Sequence, residues 1–241
     1  MQAIILKKTQ VAESGEIVAL FSREQGKMRL SARAAKSAKS KLAFGLQPLF
    51  ESEIEASSGR AMPIITGVKI IDAHAGLRES GEGIAAGLLA AEFILKATAD
   101  EQANSNLYDL FSAFLKHVSK IGSTYMLGDS KAIWKFMVSG LGALGFGIDM
   151  QRCVVCGAAL AEEDEVQFSL RLGGAVCLRC AAHAAADAIP LHPVARNFFA
   201  QNVDFDAADL HLASTLEVRK IAESFVAYIL ERDLKASRFV V

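Results

Sequence analysis

The sequence predicts an α+β fold, in which a small N-terminal β-barrel precedes a helical bundle domain that carries a four-cysteine module. Three observations predict this fold. Up to about residue 80, short runs rich in Val, Ile and Leu are separated by Gly and Ser. Beyond that point, apolar residues recur at helical spacing, and the four cysteines form two Cys-x-x-Cys pairs in the C-terminal half of the chain.

The composition of the 241-residue chain indicates a folded protein with a sizeable core. Hydrophobic residues make up 52% and charged residues 22%, which excludes a disordered or fibrous chain. At roughly 100–200 residues per domain, the length suggests one to three domains. We place the barrel at residues 1–80, the helical domain at 81–150 and 182–241, and the cysteine module at 151–181 between its two parts.

Five short strands are predicted in the barrel. The third alternates well, with Met28, Leu30 and Ala32 on one face, and Gly15 and Gly26 stand where tight turns would fall. Five strands in about 75 residues are typical of a small barrel, for which an OB-fold is the leading candidate and an SH3-like barrel the alternative. The predicted strands are Ala3–Val11, Glu16–Ser22, Lys27–Ala34, Leu49–Ala56 and Ile64–Asp72.

Helical spacing predicts the elements that follow. The apolar run Ile84–Leu95 indicates a buried helix, because about 20 residues are needed to span a membrane. Three more helices are expected: one capped by Asn106 with apolar positions from Leu107 to Ile121, one capped by Asp129 with apolar positions from Ile133 to Leu144, and one from about Leu212 to Leu234 with Leu216, Ile221, Phe225 and Tyr228 inward.

We expect a cytoplasmic protein with no membrane partner. The apolar run Ala3–Leu6 is followed by Lys7 and Lys8, and it is shorter than the roughly 7–15-residue apolar core of a secretion signal. In the cytoplasm thiols stay reduced, so paired cysteines usually indicate metal or redox chemistry.

The cysteines carry the strongest chemical signal. Cys153 and Cys156 are separated by twenty residues from Cys177 and Cys180, which matches the spacing of structural zinc sites. A hairpin can bring the pairs together, with a strand at Val166–Arg171, a turn at Gly173 and Gly174, and a return at Ala175–Leu178.

Other roles for four cysteines fit less well. A thioredoxin-like redox site needs one pair, and the spacings of ferredoxin clusters differ. Two pairs of unligated cysteines remain the alternative. Since four ligands close the coordination sphere, we predict one structural Zn²⁺ per chain rather than a catalytic metal.

The charge of the chain is unevenly placed. The total is −1, yet residues 1–80 carry 12 Lys and Arg against 8 Asp and Glu. Seven of these basic residues lie within residues 23–41, where Glu24 is the only acid. The segment can contact phosphates, and its alternative role is a solvated face. The barrel aromatics Phe21, Phe44 and Phe50 are assigned to core packing, which favours phosphate contact over base stacking.

Sequence motifs of common enzymes are absent. There is no His-x-Glu, His-Glu-x-x-His, Gly-x-Ser-x-Gly or P-loop motif, and the five histidines are scattered. The stretch Gly140–Gly145 satisfies Gly-x-Gly-x-x-Gly, but it follows a helical pattern rather than a strand, which predicts the end of a helix. We therefore predict no catalytic residues and no small-molecule substrate.

Several segments together resemble a known family. The stretches Glu13–Lys27, Ser40–Leu42, Leu46–Leu49 and Leu141–Gly145, the last leading to the first cysteine pair, are similar to the bacterial recombination mediator RecO family. The family order is an N-terminal OB-fold and then a helical domain with a four-cysteine zinc module. The resemblance covers the whole length of the chain.

The resemblance implies a non-enzymatic DNA repair protein. Such proteins bind single- and double-stranded DNA, anneal complementary strands and help to load RecA onto strands coated by single-strand-binding protein (SSB). The implied partners are DNA, RecR and the acidic-apolar C-terminal tail of SSB. We expect DNA backbone contacts at Lys27, Arg29, Arg33, Lys36, Lys39 and Lys41, and we consider Lys116, Lys131 and Lys135 for the SSB tail.

Two other functions stay open on the sequence. One is a zinc-stabilised protein-interaction scaffold that does not bind DNA, in which the basic segment only aids solubility. The other is an enzyme whose site is assembled from residues distant in sequence.

Overall fold

A computed structural model describes residues 1–11, 15–32, 41–58, 62–125, 130–184, 187–201, 205, 212–231 and 234. The chain forms two compact units. The first comprises Met1–Met126 with Leu234–Val241, and the second comprises Leu127–Asp233. The boundary falls inside the range 81–150 that we predicted as one helical part, because the helices that directly follow the barrel belong to the barrel's unit.

In the first unit, five strands close into a barrel with the order β1-β2-β3-β5-β4. Antiparallel pairing of β1 with β4 and a parallel contact between β3 and β5 complete the closure. The five predicted strands are confirmed, although the last two residues predicted for the third lie outside the described residues. The strands are β1 (Gln2–Val11), β2 (Gly15–Ser22), β3 (Gly26–Ala32), β4 (Glu51–Ser57) and β5 (Ile64–Asp72).

A short helix between β3 and β4, α1 (Lys41–Gly45), was not predicted. Its Ala43 and the following Leu46 are buried in the barrel core with side chains such as Leu20 and Ile54. A Cβ atom at Gly45 would lie 2.8 Å from the side chain of Val68, so glycine allows the helix to approach β5 closely. Five residues are too few to show a helical period, which is why the pattern did not reveal it.

Two long helices follow the barrel, α2 (Gly81–Ala97) and α3 (Ser105–Ile121). Asn104 caps α3, because its side-chain oxygen accepts a hydrogen bond from the backbone N–H of Leu107 at 2.9 Å. The prediction that Asn106 caps this helix is wrong, since Asn106 lies inside the first turn.

A buried carboxylate joins the barrel to α3. Glu51 accepts hydrogen bonds from the hydroxyl groups of Tyr108 at 3.0 Å and Ser112 at 2.9 Å, and from the side-chain amide of Gln2 at 2.7 Å. Burial, together with the charge of Glu51, raises the pKa of Tyr108 far above its ordinary value. Tyr108 is therefore a permanent hydrogen-bond donor, and the barrel and α3 form one packed unit.

His74 is a buried histidine whose ring lies beside two carboxylates. Its Nδ1 atom is 3.5 Å from Oδ2 of Asp72, and its Nε2 atom is 3.9 Å from Oε2 of Glu51. Burial lowers the pKa of His74 below its ordinary value, and the positive charges of Lys116 and Arg78 add to this effect, whereas Asp72 and Glu51 oppose it. The folded protein therefore favours the neutral ring more strongly than the unfolded chain does.

Acidification is accordingly expected to destabilise the first unit. An unfolded histidine takes up its proton near pH 6.5 and the folded His74 only at lower pH, so the free energy of unfolding falls as the pH drops from 6.5 through the folded pKa. Asparagine tolerates the positive φ of 43° at this position. His74→Asn should therefore reduce the difference between the melting temperatures measured above and below this pH range. The control is the same substitution at the exposed His183. An undiminished pH dependence in His74→Asn would contradict the assignment.

The second unit contains four helices and a small sheet among its described residues. The helices α4 (Ser130–Ala143) and α6 (Pro193–Ala200) both pack against α7 (Leu212–Leu230). In α7 Ile221 and Phe225 are buried as predicted, but Leu216 and Tyr228 are exposed, so that part of the prediction is wrong. The remaining elements are β6 (Val166–Ser169), β7 (Gly174–Cys177), α5 (Leu178–Ala184) and β8 (Ala188–Leu191).

The glycine-rich stretch at the end of α4 terminates the helix, as predicted. Gly145 has a φ of 93°, and the backbone N–H of Phe146 donates to the carbonyl oxygen of Leu141 at 2.9 Å. These are features of a glycine helix end rather than of a phosphate-binding turn. The predicted cap Asp129 lies outside the described residues. Of the helices that the structure describes, none has the length and apolar character needed to cross a bilayer.

Candidate metal centre and nucleic-acid interface

The four cysteines converge at one point of the second unit. Cys153 and Cys156 lie in a turn that follows α4, Cys177 ends β7, and Cys180 lies in the first turn of α5. Their sulfur atoms all lie within 4.8 Å of one another. The clustering predicted from the two Cys-x-x-Cys pairs is thus found.

The backbone of the first pair forms a tight turn that directs both thiols to one side. The N–H group of Gly157 donates to the carbonyl oxygen of Cys153 at 2.8 Å, and the N–H of Cys153 donates to the carbonyl oxygen of Ala158 at 2.8 Å. Gly157 has a φ of 74°, which a residue with a side chain rarely adopts. The turn is therefore fixed by main-chain hydrogen bonds.

The predicted hairpin positions the second pair. Strands β6 and β7 pair antiparallel, with Val166 opposite Cys177. The N–H of Val154 donates to the carbonyl oxygen of Ala175 at 3.0 Å, which holds the first turn against β7. Strand β8, which pairs with the other side of β6, was not predicted.

The electrostatics of the cluster favour a bound cation. Burial disfavours charge on Cys153, but hydrogen bonds from backbone N–H groups of Cys156 and Cys177 outweigh this effect and lower its pKa to about 6. A hydrogen bond with Cys177 raises the pKa of Cys180 to about 12. Without a metal, the negative charge of one thiolate suppresses ionisation of the neighbouring thiols, and a bound cation offsets this repulsion.

The cysteine module has little core of its own. Its hydrophobic cluster contains two buried residues, Cys153 and Val176, with partly buried side chains packed around them. Four thiolates form a soft ligand set that suits zinc and closes a tetrahedral coordination sphere. The arrangement can bind a structural metal, and it leaves no coordination position for a substrate.

On the barrel, Arg29 is exposed on the outer face of β3, as predicted. The strand register pairs Arg29 with Ala19, and Ala19 with the exposed Lys7 of β1. Because neighbouring strands lie about 4.8 Å apart, the backbones of Lys7 and Arg29 are separated by about 10 Å, with the small Ala19 between them. Lys7, which lies outside the basic segment 23–41, thus shares a surface row with Arg29.

Lys27 does not share this exposed surface, contrary to the prediction. Its side chain is buried, and its ammonium group donates to the carbonyl oxygens of Leu95, at 3.0 Å, and Thr98 at the end of α2. It also forms an ion pair with Asp100 at 3.2 Å. Lys27 is therefore occupied inside the first unit and is not available to a phosphate.

The structure gives no side-chain position for four other basic residues of the segment. Arg33, Lys36 and Lys39 are outside the described residues. Lys41 begins α1, and its side chain lies outside the described part of the chain. These four stay predictions from the sequence.

The lysines considered for the SSB tail have different surroundings. Lys135 is buried in α4 and donates to the carbonyl oxygens of Phe198 and Gln201, so it is unavailable to a partner. Lys116 is exposed on α3, 3.7 Å from Glu51. Lys131 lies in α4 and is partly exposed.

Comparison with known proteins identifies the family of the chain. Residues 1–74 match the family described as Recombination protein O N terminal, and residues 78–238 match Recombination protein O C terminal. The chain belongs to the RecO family. The five-stranded barrel is therefore an OB-fold, and the SH3-like alternative is excluded.

RecO proteins of several bacteria are similar over most or all of the chain. A relative from Thermoanaerobacter sp. strain X514 is 27% identical over 99% of this chain and 95% of its own length. Another, from Syntrophomonas wolfei, is 31% identical over 74% of this chain and 68% of its own. A third, from Anaeromyxobacter sp. strain Fw109-5, is 27% identical over 100% and 94%. Each is named DNA repair protein RecO, and this chain is a DNA repair protein of that family.

Proposed function

We propose that the chain is a non-enzymatic mediator of homologous recombination. It binds single- and double-stranded DNA, anneals complementary strands, and helps to load RecA onto SSB-coated DNA together with RecR. The full-length match to the RecO family is the observation that carries this proposal. The proposed location is the cytoplasm.

The exposed row of Lys7 and Arg29 supports a DNA-binding role for the barrel. Two cationic side chains on one face of a sheet, two strands apart, can contact phosphates of one DNA backbone without reading the bases. Arg29 also lies on the strand that leads into the basic segment at 33–41. Annealing without ATP is physically reasonable, because a basic surface offsets the repulsion between two phosphate backbones while base pairing supplies the free energy.

The metal that we propose for the four-cysteine cluster is one structural Zn²⁺, held by Cys153, Cys156, Cys177 and Cys180. Zinc would supply cross-linking of the two turns and no chemistry on DNA. Four thiolates whose backbone is already hydrogen-bonded fit this ion.

The salt dependence of binding to single-stranded DNA tests the DNA-binding role. With Lys27 excluded, the contacts proposed from the sequence are Arg29, Arg33, Lys36, Lys39 and Lys41. At about 0.7 per phosphate contact, these five contacts and Lys7 give an expected slope of log K against log salt near −4. Arg29→Ala should flatten it by about 0.7, and the triple replacement of Arg33, Lys36 and Lys39 by alanine by about 2.

The matched control is Lys120→Ala, which removes an exposed lysine of α3 and should leave the slope unchanged. Strand-annealing assays with and without SSB then test the mediator role. If the wild-type protein does not bind DNA at low salt, the protein-interaction scaffold becomes the better description. If the slope is normal in the wild type and unchanged by both barrel variants, the DNA contacts lie elsewhere on the chain.

A further inference from the structure

Phe44 is an exposed aromatic residue, contrary to the core role that its sequence position indicated. It lies in α1 and is 59% exposed as a residue, more than any other aromatic residue that the structure describes. Its neighbours Ala43 and Leu46 are buried in the barrel core, which anchors the helix. The ring is therefore displayed on a fixed support, three residues after Lys41, where the basic segment ends.

Phe44 and a cation both contact a second aromatic ring. Its ring contacts that of the buried Phe50 edge-on, with centroids 5.5 Å apart and an interplanar angle of 88°. The guanidinium carbon of Arg78 lies 4.8 Å from the centroid of the same Phe50 ring. An exposed ring and an exposed cation thus flank one buried ring.

The guanidinium group of Arg78 is held in place by two backbone carbonyl groups. Its guanidinium donates to the carbonyl oxygens of Ala73 at 3.0 Å and Pro48 at 2.9 Å. No carboxylate within the described ranges forms an ion pair with it, and burial is the one influence that shifts its pKa, which it lowers. Two neutral acceptors orient the group without cancelling its charge.

We propose that Phe44 and Arg78 form a nucleotide-binding subsite for single-stranded DNA, in which an unpaired base stacks on Phe44 and Arg78 contacts a phosphate of the same strand. The inference rests on the proposed DNA binding by the barrel. An exposed ring and a cation that both contact Phe50 match the two parts of a nucleotide, because the base is flat and apolar and the phosphate is anionic. In a duplex the faces of the bases are covered by their neighbours, so the subsite selects single strands.

The test compares Phe44→Ala with the wild type on a thymine oligonucleotide and on a duplex of equal length. Loss of one stacked base is expected to weaken single-strand binding about 10-fold. Affinity for the duplex should stay unchanged, and so should the salt slope, because stacking releases no counterions. Phe146→Ala is the matched control, since it removes another exposed phenylalanine, and it should bind both DNAs as the wild type does.

A spectroscopic measurement tests stacking directly. Trp134 is the only tryptophan of the chain and is buried. Phe44→Trp therefore adds one exposed fluorescent residue, and the wild type gives the background fluorescence of Trp134. Binding of the thymine oligonucleotide should quench the added fluorescence, whereas the duplex should not.

The outcomes separate this inference from the proposed function. If the wild type binds DNA with the expected salt slope, but Phe44→Ala binds normally and the added tryptophan is not quenched, the subsite is overturned and the DNA-binding proposal stands. An equal loss for single strands and duplex would also overturn it. If the wild type binds no DNA, both proposals fail.

Discussion

Cys156→Ser is expected to unfold the cysteine module of the second unit and to abolish its metal binding. Model zinc peptides gain on the order of 10 kcal/mol from the metal. A whole domain is stable by only about 5–15 kcal/mol. The module has two buried residues in its own hydrophobic cluster, so nothing on that scale replaces the metal. Cys156 is the most informative ligand to change, because its side chain is exposed and its loss opens no cavity.

The measurements are metal content and protection from protease. Elemental analysis should find about one zinc per wild-type chain and none in Cys156→Ser. Limited proteolysis should cut the variant within residues 151–181, where the wild type resists, and a chelator should make the wild type behave like the variant. Val155→Ser changes the adjacent exposed residue and should retain both metal and resistance. A metal-free protein that melts and resists protease as the holoprotein does would exclude a structural metal.

The cysteine cluster was predictable because its geometry is local. Each pair spans only four residues, so its spacing limits the distance between the two sulfurs, and Gly157 marks the bend after the first pair. The hairpin between the pairs is also short-range, with Gly173 at a φ of 65° in its turn. The single long-range requirement was that the two turns meet, and β6 and β7 bring them together.

The barrel was predictable in its strands but not in what covers them. Alternation places Lys27 and Arg29 on the same side of β3, and that much is correct. Which of them reaches solvent depends on where α2 ends, since the carbonyl groups of Leu95 and of Thr98, the residue after the helix, bind the ammonium group of Lys27, whereas Arg29 is exposed. Their separation in sequence from Lys27 is about 70 residues, and no periodicity carries that information.

Buried lysines at helix ends have no distinctive sequence pattern either. Lys27 binds the last carbonyl groups of α2, and Lys135 binds those at the end of α6. Lys27 was predicted to contact DNA and Lys135 was considered for the SSB tail, because a lysine near an apolar pattern has the same sequence signature whether its ammonium faces solvent or a helix end. For the same reason, Leu216 and Tyr228 fit the helical period of α7 and are nevertheless exposed.

Lys27→Met is expected to destabilise the first unit by about 3 kcal/mol, because carbonyl groups at the buried end of α2 lose their donor. Methionine keeps much of the volume, so lost hydrogen bonding rather than a cavity dominates the effect. The surroundings leave little room for relaxation. The N–H of Glu101 donates to the carbonyl oxygen of Lys27 at 2.8 Å, and a Cβ atom at Gly26 would lie 2.0 Å from the carbonyl oxygen of Gln102.

The paired variants Lys27→Met and Arg29→Ala separate stability from DNA contact on one strand. Lys27→Met should lower the melting temperature of the first unit by about 10 °C and leave the salt slope of DNA binding unchanged at a temperature where it is folded. Arg29→Ala should melt as the wild type does and flatten the slope. If Lys27→Met were as stable as the wild type but bound DNA with a flatter slope, its ammonium would reach phosphate in solution. The docking of β3 against the end of α2 would then have to open when DNA binds.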